Sequence, residues 1–115
     1  MSLKIIGVVI VVTLTPLSIA NALDKGIVQL DHYDCPAGAS DRIVIETRRG
    51  YTLAEVYSGY SATHSGKVIY GEFHSYGFKE IYDEDDENGD NEVGRIYIDD
   101  YMASRNDAIR WCKQD

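Results

Sequence analysis

Apolar and polar residues alternate with period two over five short stretches in the middle of the chain. They follow a helical period only once, near the end. Residues 42–48 place Ile43, Ile45 and Thr47 on one face and Val44, Glu46 and Arg48 on the other. Arg49-Gly50 turns the chain into a second run, 51–58, where Leu53 is flanked by Thr52 and Ala54. A third run, 67–73, contains Gly71, a residue that signals a bulge or sharp bend inside a strand. The fourth run is 78–82. The fifth, 95–99, sets Ile96 and Ile98 opposite Arg95, Tyr97 and Asp99. Between them lie a polar loop at 59–66 and an acidic one after Tyr82. Ahead of the first run, 23–41 reads as an arm closed by Cys35-Pro36-Ala37-Gly38. After the last run, Ser104 with Asp107 frames a helix N-cap, and Ala108, Ile109 and Cys112 share one side at helical spacing. One short C-terminal helix follows, with Trp111 tilted onto the rim of the β structure.

Five short strands cannot bury two separate sheet faces. Closure into one small barrel removes the sheet edges and makes a single core. The expected fold is therefore mainly β: a five-stranded barrel, SH3-like or OB-like, with the helix against it. A three-stranded sheet crossed by the helix is the alternative.

The start of the chain has a different character. Lys4 is the only charge before Asp24, residues 5–12 are apolar throughout, and Pro16 interrupts a weaker continuation. Ala20-Asn21-Ala22 then supplies the small–x–small pattern of a signal-peptidase site. Residues 1–22 read as a signal peptide, with a mature chain of one β-rich domain, 23–115, starting at Leu23 in the periplasm or medium. Cys35 and Cys112 are the two cysteines, and an even count in an oxidising compartment predicts a disulfide that staples the arm to the helix. The chain carries 11 basic and 19 acidic residues, a net charge of −8. Loss of Lys4 with the leader makes it −9. That balance argues against nucleic acid or an anionic membrane as partner, since both require clustered cations. A cationic partner gains from the long-range field.

Candidate chemistry is sparse. With Gly89 at the sixth position of an EF-hand loop, Glu84, Asp86, Asn88, Asp90 and Glu92 fall at alternate ligand positions. Position twelve, however, is Arg95 where a bidentate Glu is needed, and strands flank the loop. The segment reads as a solvated hairpin loop, and no metal or other cofactor is expected. His32, His64 and His74 show no ligand spacing, although His64 and His74 could meet Glu72 across a hairpin. Glu55, Glu72 and Glu80 lie in β runs, where a converging pair would suit glycoside hydrolysis.

Tyrosine stands out, with nine against one Trp and two Phe. Tyr beside Ser and Gly makes adaptable binding surfaces, because it offers large contact area at small entropy cost. Tyr60, Ser61, Thr63 and His64, with Tyr76 on the next turn, form the expected patch. Of these, Tyr60, His64 and Tyr76 are the expected ligand-binding residues. The functional expectation is an exported, non-catalytic module that binds a protein, such as an inhibitor of a basic secreted hydrolase of the lysozyme kind. The alternatives are a carbohydrate or cell-wall binding domain and a small hydrolase.

Overall fold

A computed structural model describes residues 23–38 and 41–114. The leader read from residues 1–22 lies outside the described residues. Six strands form the sheet: β1 (Asp24–Leu30), β2 (Arg42–Thr47), β3 (Gly50–Ser58), β4 (Val68–Gly71), β5 (Gly77–Asp83) and β6 (Glu92–Ala103). They close into a barrel in the order β1-β2-β3-β6-β5-β4, with every neighbouring pair antiparallel. A 3-10 turn at Tyr60–Ala62 follows β3, and helix α1 (Arg105–Lys113) follows β6.

The small β barrel with one C-terminal helix is as expected, but it has six strands and not five. The extra one, β1, lies in the segment read as an arm. Its alternation is hard to see because inward positions are occupied by Gly26 and Val28, while Ile27 points outward. Gly26 is small for a packing reason. A Cβ there would lie 2.4 Å from the Ile45 side chain and 2.9 Å from the Phe73 ring. A Cβ on Gly71 would come within 2.8 Å of the same ring. The two glycines make room for Phe73, which is fully buried, so Gly71 serves ring packing at the end of β4 and no bulge lies within that strand.

The barrel interior is filled by Val28, Ile43, Ile45, Ala54, Val56, Ile69, Phe73, Ile81, Ile96 and Ile98, with Ala62 plugging one end. This is the inward set that alternation assigns to β2 and β6. The outward residues Val44 and Leu53 are buried as well, because α1 lies across them. Cys35, Ala108 and Cys112 complete that second cluster, with Leu30, Tyr51, Ala103 and Trp111 packed around it. Ser104 caps α1, its Oγ accepting from the Asp107 N–H at 3.1 Å. The Cys35–Cys112 disulfide spans 77 residues with Cα atoms 4.5 Å apart and fastens the β1–β2 connection to the helix. Trp111 reaches the rim as expected. The Arg42 guanidinium sits 4.6 Å over its ring and donates to its backbone carbonyl.

Candidate functional site

Antiparallel strands joined in sequence send successive connections to opposite ends of the barrel. The β1–β2, β3–β4 and β5–β6 connections therefore share one end, and β2–β3 and β4–β5 share the other. The charge separates with them. Residues 31–41 carry three Asp, 84–91 carry five carboxylates, and 59–67 carry a single charge, Lys67. At the opposite end, 48–49 is Arg48-Arg49 and 72–76 contains only Glu72. The connections of the first end are thus acidic and those of the other basic, and the two ends are named for them. The acidic hairpin, however, leans back along the barrel: a Cβ on Gly89 would lie 3.0 Å from the Leu23 side chain at the start of β1.

At the acidic end an aromatic cluster sits among the carboxylates. His32 lies 4.1 Å from Tyr33, 5.3 Å from Tyr60 and 6.2 Å from His64, ring centre to ring centre. Tyr33 and His64 are parallel, 3° apart in plane and 6.3 Å apart. The cluster is mounted on a hydrogen-bonded frame. Asp31 accepts from the backbone N–H of Tyr33 and of Ser65, each at 3.0 Å. Asp34 accepts from the Ser65 hydroxyl at 3.1 Å. These bonds tie the β1–β2 connection to the β3–β4 connection. Burial pushes the Asp31 carboxyl up, but the N–H groups of Ser65 and Tyr33 outweigh it, and its pKa falls below the usual value. Asp31 stays charged, and His64 Nδ1 stands 3.8 Å from it.

Tyr60 donates its hydroxyl to Asp41 at 2.6 Å, and that carboxylate raises the phenol's pKa. Gly59, at φ 87°, presses so close to β6 that a Cβ would meet the Val93 carbonyl oxygen at 2.4 Å. Only glycine fits there, and the contact sets the aromatic cluster beside the root of the acidic hairpin. Inside the hairpin, Asp86 accepts from the N–H groups of Asn91 and Asp90, which lower its pKa. Its carboxylate shapes the turn.

Of the expected site residues, Tyr60 and His64 come together and Tyr76 does not. Tyr76 is 62% exposed but belongs to the β4–β5 connection at the basic end, where it packs on Tyr101 at 4.9 Å. Thr63 is fully buried, held to the carbonyls of Gly59 and Tyr60. The most exposed aromatic of the acidic end is Tyr33, 79% accessible. It falls in the segment read as an arm, and its burial state leaves no mark in the sequence.

His64 and His74 lie at opposite ends, so the His64–His74–Glu72 grouping does not form. Glu72 pairs with Lys79 at 3.6 Å. Glu72 and Glu80 both line a cleft of about 290 Å³ with Arg95 and Tyr82, while Glu55 lies elsewhere, bonded to Asp99 across β3 and β6. Burial first, then the bond to Glu55 and its charge, push the Asp99 carboxyl up to about 7, against a lowering by Arg42.

His74 itself is braced. Its Nδ1 meets Asp24 Oδ2 at 3.0 Å and its Nε2 meets Thr47 Oγ1 at 3.0 Å. The order carboxylate, imidazole, hydroxyl resembles a nucleophile relay. Yet Thr47 Oγ1 also accepts from the Arg49 N–H at 3.1 Å and lies 2.9 Å from the Gly50 carbonyl. That oxygen is committed to the turn, and the three residues work as a brace across β1, β2 and the β4–β5 connection. Sequence separations of 50 and 27 residues hide the grouping.

Among the described residues, no three His, Cys, Asp or Glu side chains converge as metal ligands, and no helix is long and apolar enough to cross a membrane. Compared with known proteins, the chain matches no family model, no curated protein and no solved structure.

Proposed function

We propose that this chain is an exported, non-catalytic binding module that docks a cationic protein through the acidic end of its barrel. One observation carries the reading. The β1–β2 and β3–β4 connections set three carboxylates, Asp31, Asp34 and Asp41, among the accessible rings of Tyr33, Tyr60 and His64, and the hairpin rooted beside Gly59 adds five more to the long-range field. The carboxylates steer a basic surface inward, and aromatic rings held on a hydrogen-bonded frame supply contact area once it arrives. The covalent and polar ties that fix the frame, Cys35–Cys112 and Asp31–Ser65, lower the ordering cost of binding. A basic secreted hydrolase such as a lysozyme has the required surface chemistry.

The test is association with an immobilised basic lysozyme between 25 and 300 mM NaCl, with a neutral protein as control. Affinity should fall at least about tenfold across that range as the charges are screened. Tyr33→Ala should weaken binding by about 1–3 kcal/mol without altering the melting temperature. Salt-independent binding, or none to any cationic protein, would refute the reading.

A carbohydrate-binding reading has one observation in its favour. Tyr57 and Phe78 are exposed on the outer face of the sheet, 4.9 Å apart, with Tyr97 beside Phe78 and Arg95 over its ring. Glycan binding lost in Phe78→Ala and insensitive to salt would select it.

A further inference from the structure

We propose that the basic end of the barrel carries a second site, a groove that binds a small amphiphilic anion: a carboxylate or phosphate on an apolar body. The groove has a volume of about 560 Å³, within the range of small-molecule sites. It opens between the start of β1, the β2–β3 turn and the β4–β5 connection. Leu23 and Ile27 supply apolar surface, and Lys25, Arg48 and Arg49 supply charge. In a chain of net charge −8 that carries 11 cationic residues, three of these line one groove.

None of Lys25, Arg48 and Arg49 forms an ion pair with another described residue. Among the described residues the Arg49 guanidinium has only a long contact to Met102 Sδ, at 3.9 Å. The two carboxylates on the groove are engaged. Asp24 holds His74 and accepts from the Phe73 N–H at 3.1 Å, and Glu46 accepts from the Gln29 amide at 2.7 Å. The wall itself is rigid, because the Asp24–His74–Thr47 brace locks β1 to β2 and His74 is nearly buried. A preformed groove whose guanidinium groups form no ion pair among the described residues, beside aliphatic surface, matches an anionic head with an apolar tail. This site does not rest on the proposed docking of a protein at the acidic end, although the acidic hairpin borders it where Gly89 meets Leu23.

The test uses 1-anilinonaphthalene-8-sulfonate as fluorescent probe and decanoate, decyl phosphate and decyltrimethylammonium as competitors. Saturable probe binding displaced by either decyl anion, and not by the cation, is the expected result. The stronger of the two anions identifies the head group. Arg48→Gln with Arg49→Gln should weaken binding at least about tenfold, since each lost charged bond is worth about that much. Arg48→Lys with Arg49→Lys should retain part of it, and both variants should melt like the parent. Binding of a cationic protein at the acidic end should be unaffected in all of them. Equal displacement by the cationic amphiphile, unchanged affinity in the Gln variant, or a dimer abolished by that variant would each overturn the proposal. The last would mean that the acidic end of a second copy occupies the groove.

Discussion

Glu55 and Asp99 form a carboxyl pair on the outside of the barrel, and replacing Asp99 with Asn tests what that pair costs. Burial and the facing Glu55 raise the Asp99 pKa to about 7. An unfolded Asp titrates near 3.9. Between those values the folded chain holds a proton that the unfolded chain has released, so stability falls as pH rises from about 4 to about 7. Above that window both carboxylates are charged and repel. A rise from about 4 to about 7 corresponds to about 4 kcal/mol at 1.4 kcal/mol per pH unit. Asp99 is half-buried, and water and salt screen most of this, leaving about 1 kcal/mol.

In Asp99→Asn the amide still donates to Glu55 but cannot ionise. At pH 8 the variant should be more stable than the parent by about 1 kcal/mol, or about 4–8 °C in melting temperature for a domain of this size. At pH 4 the two should melt together. Other carboxylates titrate in the same range, so the informative quantity is the variant–parent difference at each pH, followed by circular dichroism. Glu55→Gln should give the same relief, and the double variant little more, because one repulsion is removed either way. A variant–parent difference that is the same at pH 4 and pH 8 would refute the reasoning.

Three further outcomes are expected. Reduction of Cys35–Cys112, or its replacement by Ala at both positions, should cost about 2–5 kcal/mol by urea unfolding, because the bond closes a long loop and sits inside the second core cluster. Gly26→Ala should destabilise the chain by about 1–3 kcal/mol, since the new methyl collides with Ile45 and Phe73, and a thermal melt detects it. Tyr76→Ala should leave binding at the acidic end unchanged while Tyr33→Ala weakens it, because the two rings stand at opposite ends of the barrel.

The separation of Tyr60 from Tyr76 follows from the order of strands and loops along the chain. The two residues occupy consecutive connections of an antiparallel sheet, and consecutive connections emerge at opposite ends. The same parity collects the acidic connections, but recognising all three requires β1. That strand is obscured because its inward positions include a glycine whose purpose is to admit Phe73 from another part of the chain.

Sequence alone determined what is local. Alternation at period two assigned Ile43, Ile45, Ile96 and Ile98 to the interior, because the pleat sends neighbouring side chains to opposite faces. Ser104 and the spacing of Ala108 and Cys112 marked the helix, and cysteine parity marked the disulfide. Tertiary structure decided what depends on residues far apart in the chain. Barrel closure brought Asp24 to His74 and Thr47, paired Glu55 with Asp99, and set Tyr33 beside His64. The reason is that these contacts are set by strand order and shear, which no short window of sequence encodes.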